Sequence, residues 1–202
     1  MIKNLNIAIP LRNEDKQIEQ TIDLLNNELK DLNKDFIITL IDDYSSDETW
    51  NLLEKLKEKH SNIQIYKNKY EPGYGTAVYS AIEKNECDAL VIFMGDCSDN
   101  PKDIKIYIEH LDQGFDCVFG SRFMKNSKVV DYPVLKLVLN RIANNFIRLL
   151  FLTKYNDVTN AFKAYKKELL INFKPILSEQ SPIKKTTASH LFFSMPKRIA
   201  LP

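Results

Sequence analysis

Asp42 and Asp43 close one apolar run, FIITLID, and Asp96 and Asp99 follow another, ALVIFM. Carboxylates crowded at strand ends repel one another, so they need hydrogen-bond donors, helix N-termini or a cation as compensation. A hard cation such as Mg²⁺ takes one or two carboxylates together with substrate phosphates. Asp96 is the natural ligand, because it directly follows a strand that is apolar on both faces. Gly95 beside it leaves room for a ligand near the backbone. Asp42, Asp43 and Asp47, taken singly, also read as capping residues. Gly73 and Gly75, in EPGYGTA, open a helix. They serve either turn geometry or the approach of a phosphate or sugar to a helix N-terminus. Arg122, in GSRF, reads either as a surface ion pair or as a bidentate partner for phosphate oxygens.

Short apolar runs alternating with amphipathic stretches must position these residues. Leu5 to Pro10, Phe36 to Asp42, Ile63 to Asn68, Ala89 to Met94 and Asp116 to Gly120 read as strands. Glu14 to Leu32 reads as a helix with Ile18, Ile22, Leu25, Leu29 and Leu32 on one face. A second helix is expected from Ser45, with Glu48 completing a capping box. A third spans Gly75 to Lys84, and Pro101 opens a fourth as its first residue. This alternation predicts an α/β fold, a three-layer sandwich around a mostly parallel sheet. Such sheets bind ligands at the carboxyl ends of their strands, where the acids above lie.

The bulk properties narrow the chemistry. The 202 residues suffice for one domain with a substantial core, and 44% hydrophobic and 27% charged residues are ordinary for a globular protein. A net charge of +1 argues against nucleic acid as a partner. Cys87, Cys97 and Cys117 are odd in number and lack a C-x-x-C pair, so reduced thiols are expected rather than disulfides or a zinc site. The N-terminus enters a strand without a signal-peptide pattern. No G-x-G-x-x-G follows the first strand, against a dinucleotide oxidoreductase, and no D-x-D-x-T pattern supports a phosphatase.

Six segments, IPLRNED, IDDYSSDET, NKYEPGYGTA, MGDCSDNP, GSRF and YNDVTNAFKAYKKE, together resemble the family 2 inverting glycosyltransferases with the GT-A fold. The likeness runs from about Asn6 to Leu170 and is nearest the dolichol- or polyprenyl-phosphate mannosyltransferase-like branch. It implies that Pro10, Arg12 and Glu14 touch the nucleotide, Arg12 standing where the family carries tyrosine. It implies that Asp43, with Asp42 as neighbour, hydrogen-bonds the base. Asp96 matches the second aspartate of the D-x-D motif and would bind Mg²⁺ or Mn²⁺, with Ser98 nearby; Met94 replaces the first aspartate. Arg122 and Lys163 match positions that hold phosphate charge, and Asp157 matches an acidic residue on the acceptor side. The implied partners are a nucleotide-sugar donor, GDP- or UDP-linked, and a lipid-phosphate or glycan acceptor. A lipid phosphate is already ionised; a hydroxyl acceptor needs a base, for which Asp157 is the candidate. A segment from Thr159 to Tyr165 capped by Asp157 is the plainer alternative.

Val134 to Leu152 places Leu135, Val138, Leu139, Ile142, Phe146, Leu149 and Leu150 on one helical face, with Lys136, Asn140, Asn144 and Arg148 on another. It either packs on the sheet or lies on a bilayer as an interfacial helix. The expected placement of the protein is cytoplasmic, at the cytoplasmic face of the membrane if that helix is interfacial. Residues 1–180 are expected to form the transferase domain. Residues 181–202 form a basic tail with Lys184, Lys185, Lys197 and Arg198 and no acid. Met94, Arg12 and this tail motivate a second reading, a degenerate domain that binds a nucleotide-sugar without turning it over.

Overall fold

The computed structural model describes residues 1–124, 133–171 and 199–200. The strands are β1 (Asn4–Leu11), β2 (Asp35–Asp42), β3 (Ile63–Lys67), β4 (Ala89–Ile92), β5 (Cys117–Phe119), β6 (Lys163–Lys166) and β7 (Ile199–Ala200). The helices are α1 (Ile18–Leu29), α2 (Thr49–Lys59), α3 (Tyr74–Lys84), α4 (Asp103–Asp112) and α5 (Val134–Leu150). One sheet carries the order β3-β2-β1-β4-β6-β5-β7.

The period-two alternation of the strands builds two cores. Leu5, Ile7 and Ile9 of β1 and Ile38 and Leu40 of β2 face Ile18, Ile22, Leu25 and Leu29 of α1, with α2 and α4 beside them. Ala8, Ile41, Leu90 and Ile92 face Ala77, Val78, Ala81 and Ile82 of α3. The outcome is the expected three-layer α/β sandwich with a mostly parallel sheet.

β6 is the exception that matters for function. It runs antiparallel to both neighbours, with Ile92 opposite Lys163 on β4 and Phe119 opposite Lys163 on β5. Its first residue therefore lies at the carboxyl edge where β4 and β5 end. The stretch from Thr159 to Tyr165 is not a helix: Thr159 to Phe162 form a turn and irregular backbone, and Lys163 to Tyr165 pair with β4 and β5 at once.

Other boundaries also shift. α1 starts at Ile18, after a turn in which Glu14 O accepts from Gln17 N and Ile18 N at 3.1 Å each. The capping box at Ser45 is not formed. Ser45 Oγ accepts from Asn13 N at 3.0 Å, and α2 begins at Thr49, whose N donates to Asp47 Oδ1 at 3.0 Å. Pro101 sits in a turn before α4 rather than as its first residue. Pro10 is tolerated within a central strand because β1 and β4 part beyond Ala8 and Ile92, with Phe93 N to Ala8 O as a last bond. No N–H is required of Pro10 on that side.

α5 keeps its amphipathic pattern but turns it outward. Phe146 is 64% exposed and Leu149 75% exposed, while Asn144 is the buried residue of the helix. The apolar face does not pack on the sheet. Of the basic tail, residues 181–198 and 201–202 lie outside the described residues; Ile199–Ala200 pairs in parallel with β5.

Candidate active site

Three neighbouring strand ends carry a non-glycine residue in the left-handed region. Asn13 follows β1 at φ 59°, Tyr44 follows β2 at φ 59°, and Cys97 follows β4 at φ 57°. Each costs on the order of 1 kcal/mol or more, and such strain gathers at ligand sites that the surroundings hold in place. The holding bonds are explicit. Asn13 Oδ1 accepts from Ser46 N at 2.8 Å, and Tyr44 Oη donates to Tyr70 O at 2.9 Å. Thr21 Oγ1 donates to Gly95 O at 2.8 Å and lies 2.9 Å from Cys97 Sγ.

Asp43 organises the turn into α3. Its Oδ1 and Oδ2 accept from Gly73 N at 3.1 and 2.9 Å, and Asn68 Nδ2 donates to Oδ1 at 2.7 Å. Gly73 adopts φ 157°, a conformation open to glycine. Asn68 in turn accepts from Tyr70 N at 3.1 Å and Ser80 Oγ at 2.9 Å. This buried amide therefore knots the loop between β3 and α3. Asp42 beside it is buried, and its Oδ1 has no hydrogen-bond partner among the described residues.

Asp96 is exposed, and its Oδ1 accepts from Ser98 N at 3.0 Å. Asp99 Oδ2 accepts from Met94 N at 3.1 Å. Burial, reinforced by Asp96 and Asp103, pushes the Asp99 carboxyl up to about 7 against the pull of that N–H and of Arg122. Glu14 is likewise raised, first by burial and then by Asp96 and Asp47. This acid-rich edge suits a divalent cation electrostatically. Among the described residues no three His, Cys, Asp or Glu side chains converge tightly enough to hold one unaided. The donor set fits a cation that Asp96 shares with ligand phosphates.

The opposite wall comes from β5, β6 and α5. Arg122 donates to Asp157 Oδ2 from its backbone N at 2.9 Å and from Nε at 2.8 Å, and to Oδ1 from Nη2 at 2.7 Å. Asp157 is 0% exposed. Arg122 Nη2 also reaches Thr159 Oγ1 at 2.9 Å. Lys163 is buried, donates to Val158 O at 2.9 Å and lies over the Phe119 ring at 5.0 Å. Burial lowers its ammonium to about 8, although Asp157 opposes the shift. Lys163, Tyr74, Gly75, Met94 and Thr159 line a cavity of about 290 Å³. Gly120, just before the GSRF arginine, is required sterically: a Cβ there would overlap Tyr107 Oη and lie 3.0 Å from Asn160 Nδ2.

The fold thus gathers the sequence-expected residues on one edge in two groups. Glu14, Asp42, Asp43, Gly73, Asp96 and Ser98 lie on the β1, β2 and β4 side, and Arg122, Asp157, Lys163 and Gly75 on the β5, β6 and α3 side. Pro10 is buried in β1, and Arg12 is exposed at its end. Asp157 is not poised toward solvent; its carboxylate is filled by Arg122. The residues sequence reasoning missed are Asn68, Thr21 and, as a member of this site, Asn144. All three are uncharged, and a single amide or hydroxyl in an otherwise ordinary element carries no distinctive pattern.

Residues 6–173 match the model of glycosyl transferase family 2. The dolichol-phosphate mannosyltransferase of Pyrococcus furiosus is 27% identical over 168 residues, covering 82% of this chain and 47% of that protein. The polyprenol monophosphomannose synthase of Mycolicibacterium smegmatis is 27% identical over 137 residues, covering 66% of this chain and 52% of that protein. The chain therefore spans about half the length of these curated relatives. Among solved structures, S. aureus TarS superposes with a TM-score of 0.65 at 17% identity, covering 98% of this chain and 58% of that one. Glucosyl-3-phosphoglycerate synthase of Mycobacterium tuberculosis, in complex with Mn²⁺, UDP and glucosyl-3-phosphoglycerate, superposes at 0.62 and 18% identity, covering 83% and 58%.

Proposed function

We propose, for a chain that belongs to glycosyl transferase family 2, that it transfers a sugar from a GDP- or UDP-linked donor, with inversion, to a polyprenyl-phosphate acceptor. The observation that carries this reading is the pairing of an acid-rich edge at Asp96 with a cationic wall at Arg122 and Lys163, linked by Asp99, whose carboxyl feels both Asp96 and Arg122. A nucleoside diphosphate, anionic and able to share a cation with Asp96, is the class of ligand that two such walls would hold. Asp43 and the loop it holds would receive the base and ribose, next to Glu14 and Arg12. Asp96, with Ser98 beside it, would hold Mg²⁺ or Mn²⁺ together with the donor phosphates; that cation, when bound, neutralises charge on the leaving diphosphate. Buried Lys163, as its ammonium, and partly buried Arg122 would supply positive charge where it acts more strongly than in water.

A single in-line displacement by an ionised lipid phosphate inverts the anomeric centre and requires no general base. This suits the burial of Asp157, which serves Arg122 rather than an acceptor proton. It also suits α5, whose exposed apolar face is accompanied by Lys136, Arg141 and Arg148 and by no acid from Val134 to Leu150. Such a helix is matched to an anionic lipid surface, and the protein would then work at the cytoplasmic face of a membrane. No helix among the described residues is long and apolar enough to cross one.

A thermal-shift screen of UDP- and GDP-sugars with and without Mn²⁺ tests the donor side. One donor should stabilise the protein in a metal-dependent way, and Asp96→Ala should abolish that response. An undiminished response in Asp96→Ala would overturn the metal assignment. Met94 in place of an acid supports a second reading, a nucleotide-sugar-binding domain without turnover. Donor binding with no transfer to polyprenyl phosphate would favour it.

A further inference from the structure

Asn144 lies in the middle of α5, on the face opposite the exposed apolar residues, and is 1% exposed. Its amide is spent on the loop that carries Asp157. Oδ1 accepts from Val158 N at 2.8 Å and Thr159 N at 3.3 Å. Nδ2 donates to Thr159 Oγ1 at 2.8 Å, to Asp157 Oδ1 at 3.3 Å and back to Asn140 O at 2.9 Å. Thr159 Oγ1 also receives Arg122 Nη2 and bonds Asp157 Oδ1 at 3.2 Å. One helical side chain thus contacts two backbone amides and Oδ1 of Asp157, the oxygen that also accepts from Arg122 Nη2.

We infer that Asn144 is a positioning residue that ties the seat of α5 to the geometry of the Arg122–Asp157 pair, so that Arg122 is aimed only while α5 is docked against the 157–159 loop. A buried amide with its donors and acceptor engaged fixes its neighbours in one arrangement. Replacing it by alanine leaves Val158 N and Thr159 N without their acceptor and Asp157 with one donor fewer, a loss borne by the loop and passed to Arg122. The kinetic consequence rests on the proposed transfer reaction; the structural consequence does not.

The experiment uses the whole chain and Asn144→Ala, followed by amide hydrogen exchange and by steady-state transfer. Exchange should quicken at Val158 and Thr159, which Asn144 touches, and also at the Arg122 amide, which it does not touch, while β1 and β2 stay as protected as in the parent. The transfer kcat should fall roughly 10- to 100-fold with donor KM within about twofold, because a displaced group costs turnover more than binding. In an Arg122→Ala background the same change should add little further loss. Arg122 exchange equal to the parent, or fully additive kinetic losses, would overturn the inference and leave Asn144 a helix anchor. If Asn144→Ala does not fold, Thr159→Val removes the bridging hydroxyl alone and should quicken the Arg122 amide with Val158 unchanged; parental exchange there also overturns it. A parent chain that transfers nothing sinks the proposed reaction, and the exchange measurement then decides this inference by itself.

Discussion

Arg122 gives three of its donors to the carboxylate of Asp157, across 35 residues of sequence, at 2.7 to 2.9 Å. The acid is fully buried and the arginine side chain 20% exposed. Removing one partner of a buried pair typically costs about 3–5 kcal/mol, because the other charge stays buried and unmatched. Asp157→Asn is therefore expected to lower both unfolding stability and transfer, the former by about 3 kcal/mol. A carboxylate acting only as an acceptor base would leave the urea midpoint unchanged, so parallel unfolding and activity measurements decide between the roles.

Lys163 makes a pH prediction. Its folded-state value is near 8 and its unfolded value near 10.5, so between these the unfolded chain binds more protons. Stability contributed by this site rises with pH across that window, and below pH 8 the burial penalty is present in full. Lys163→Met should accordingly be more stable than the parent at pH 7, by on the order of 1–3 kcal/mol, with the difference shrinking toward pH 10.5. Transfer by the parent should decline above about pH 8 as the ammonium is lost, a limb that a pH–rate profile will show or exclude.

Gly120→Ala tests the packing beneath Arg122. The added methyl meets the buried Tyr107 hydroxyl and lies 3.2 Å from Phe162 O, a backbone atom already bonded to Gly120 N at 3.0 Å. Overpacking of this kind costs about 1–3 kcal/mol. Tyr107→Phe in the same chain removes the clashing oxygen and should restore part of the loss; no restoration in urea unfolding would place the strain elsewhere.

The outward face of α5 is tested with lipid. Phe146→Asp combined with Leu150→Asp should weaken co-sedimentation with anionic vesicles by at least about tenfold, given the apolar area withdrawn from the interface. Binding by the parent should weaken with added salt, since Lys136, Arg141 and Arg148 supply the attraction. Unchanged sedimentation of the double variant would remove α5 as a membrane contact.

Much of this was legible before any coordinates. The alternation of apolar runs specifies the first five strands and the helices between them, because period and composition act over a few neighbouring residues. The same locality marks Asp43, Glu14 and Asp96 as strand-end acids and α5 as two-faced. What only the tertiary structure decided is the second wall of the site. β6 has four residues, KAYK, whose alternation is too short to announce a strand. It becomes one by pairing with β4 and β5, distant in sequence, and it runs opposite to both. That reversal brings Lys163 to the carboxyl edge, sets Asp157 against Arg122 and presents the 157–159 loop to Asn144. Such pairings depend on which surfaces meet once the sheet exists, and no local pattern encodes them.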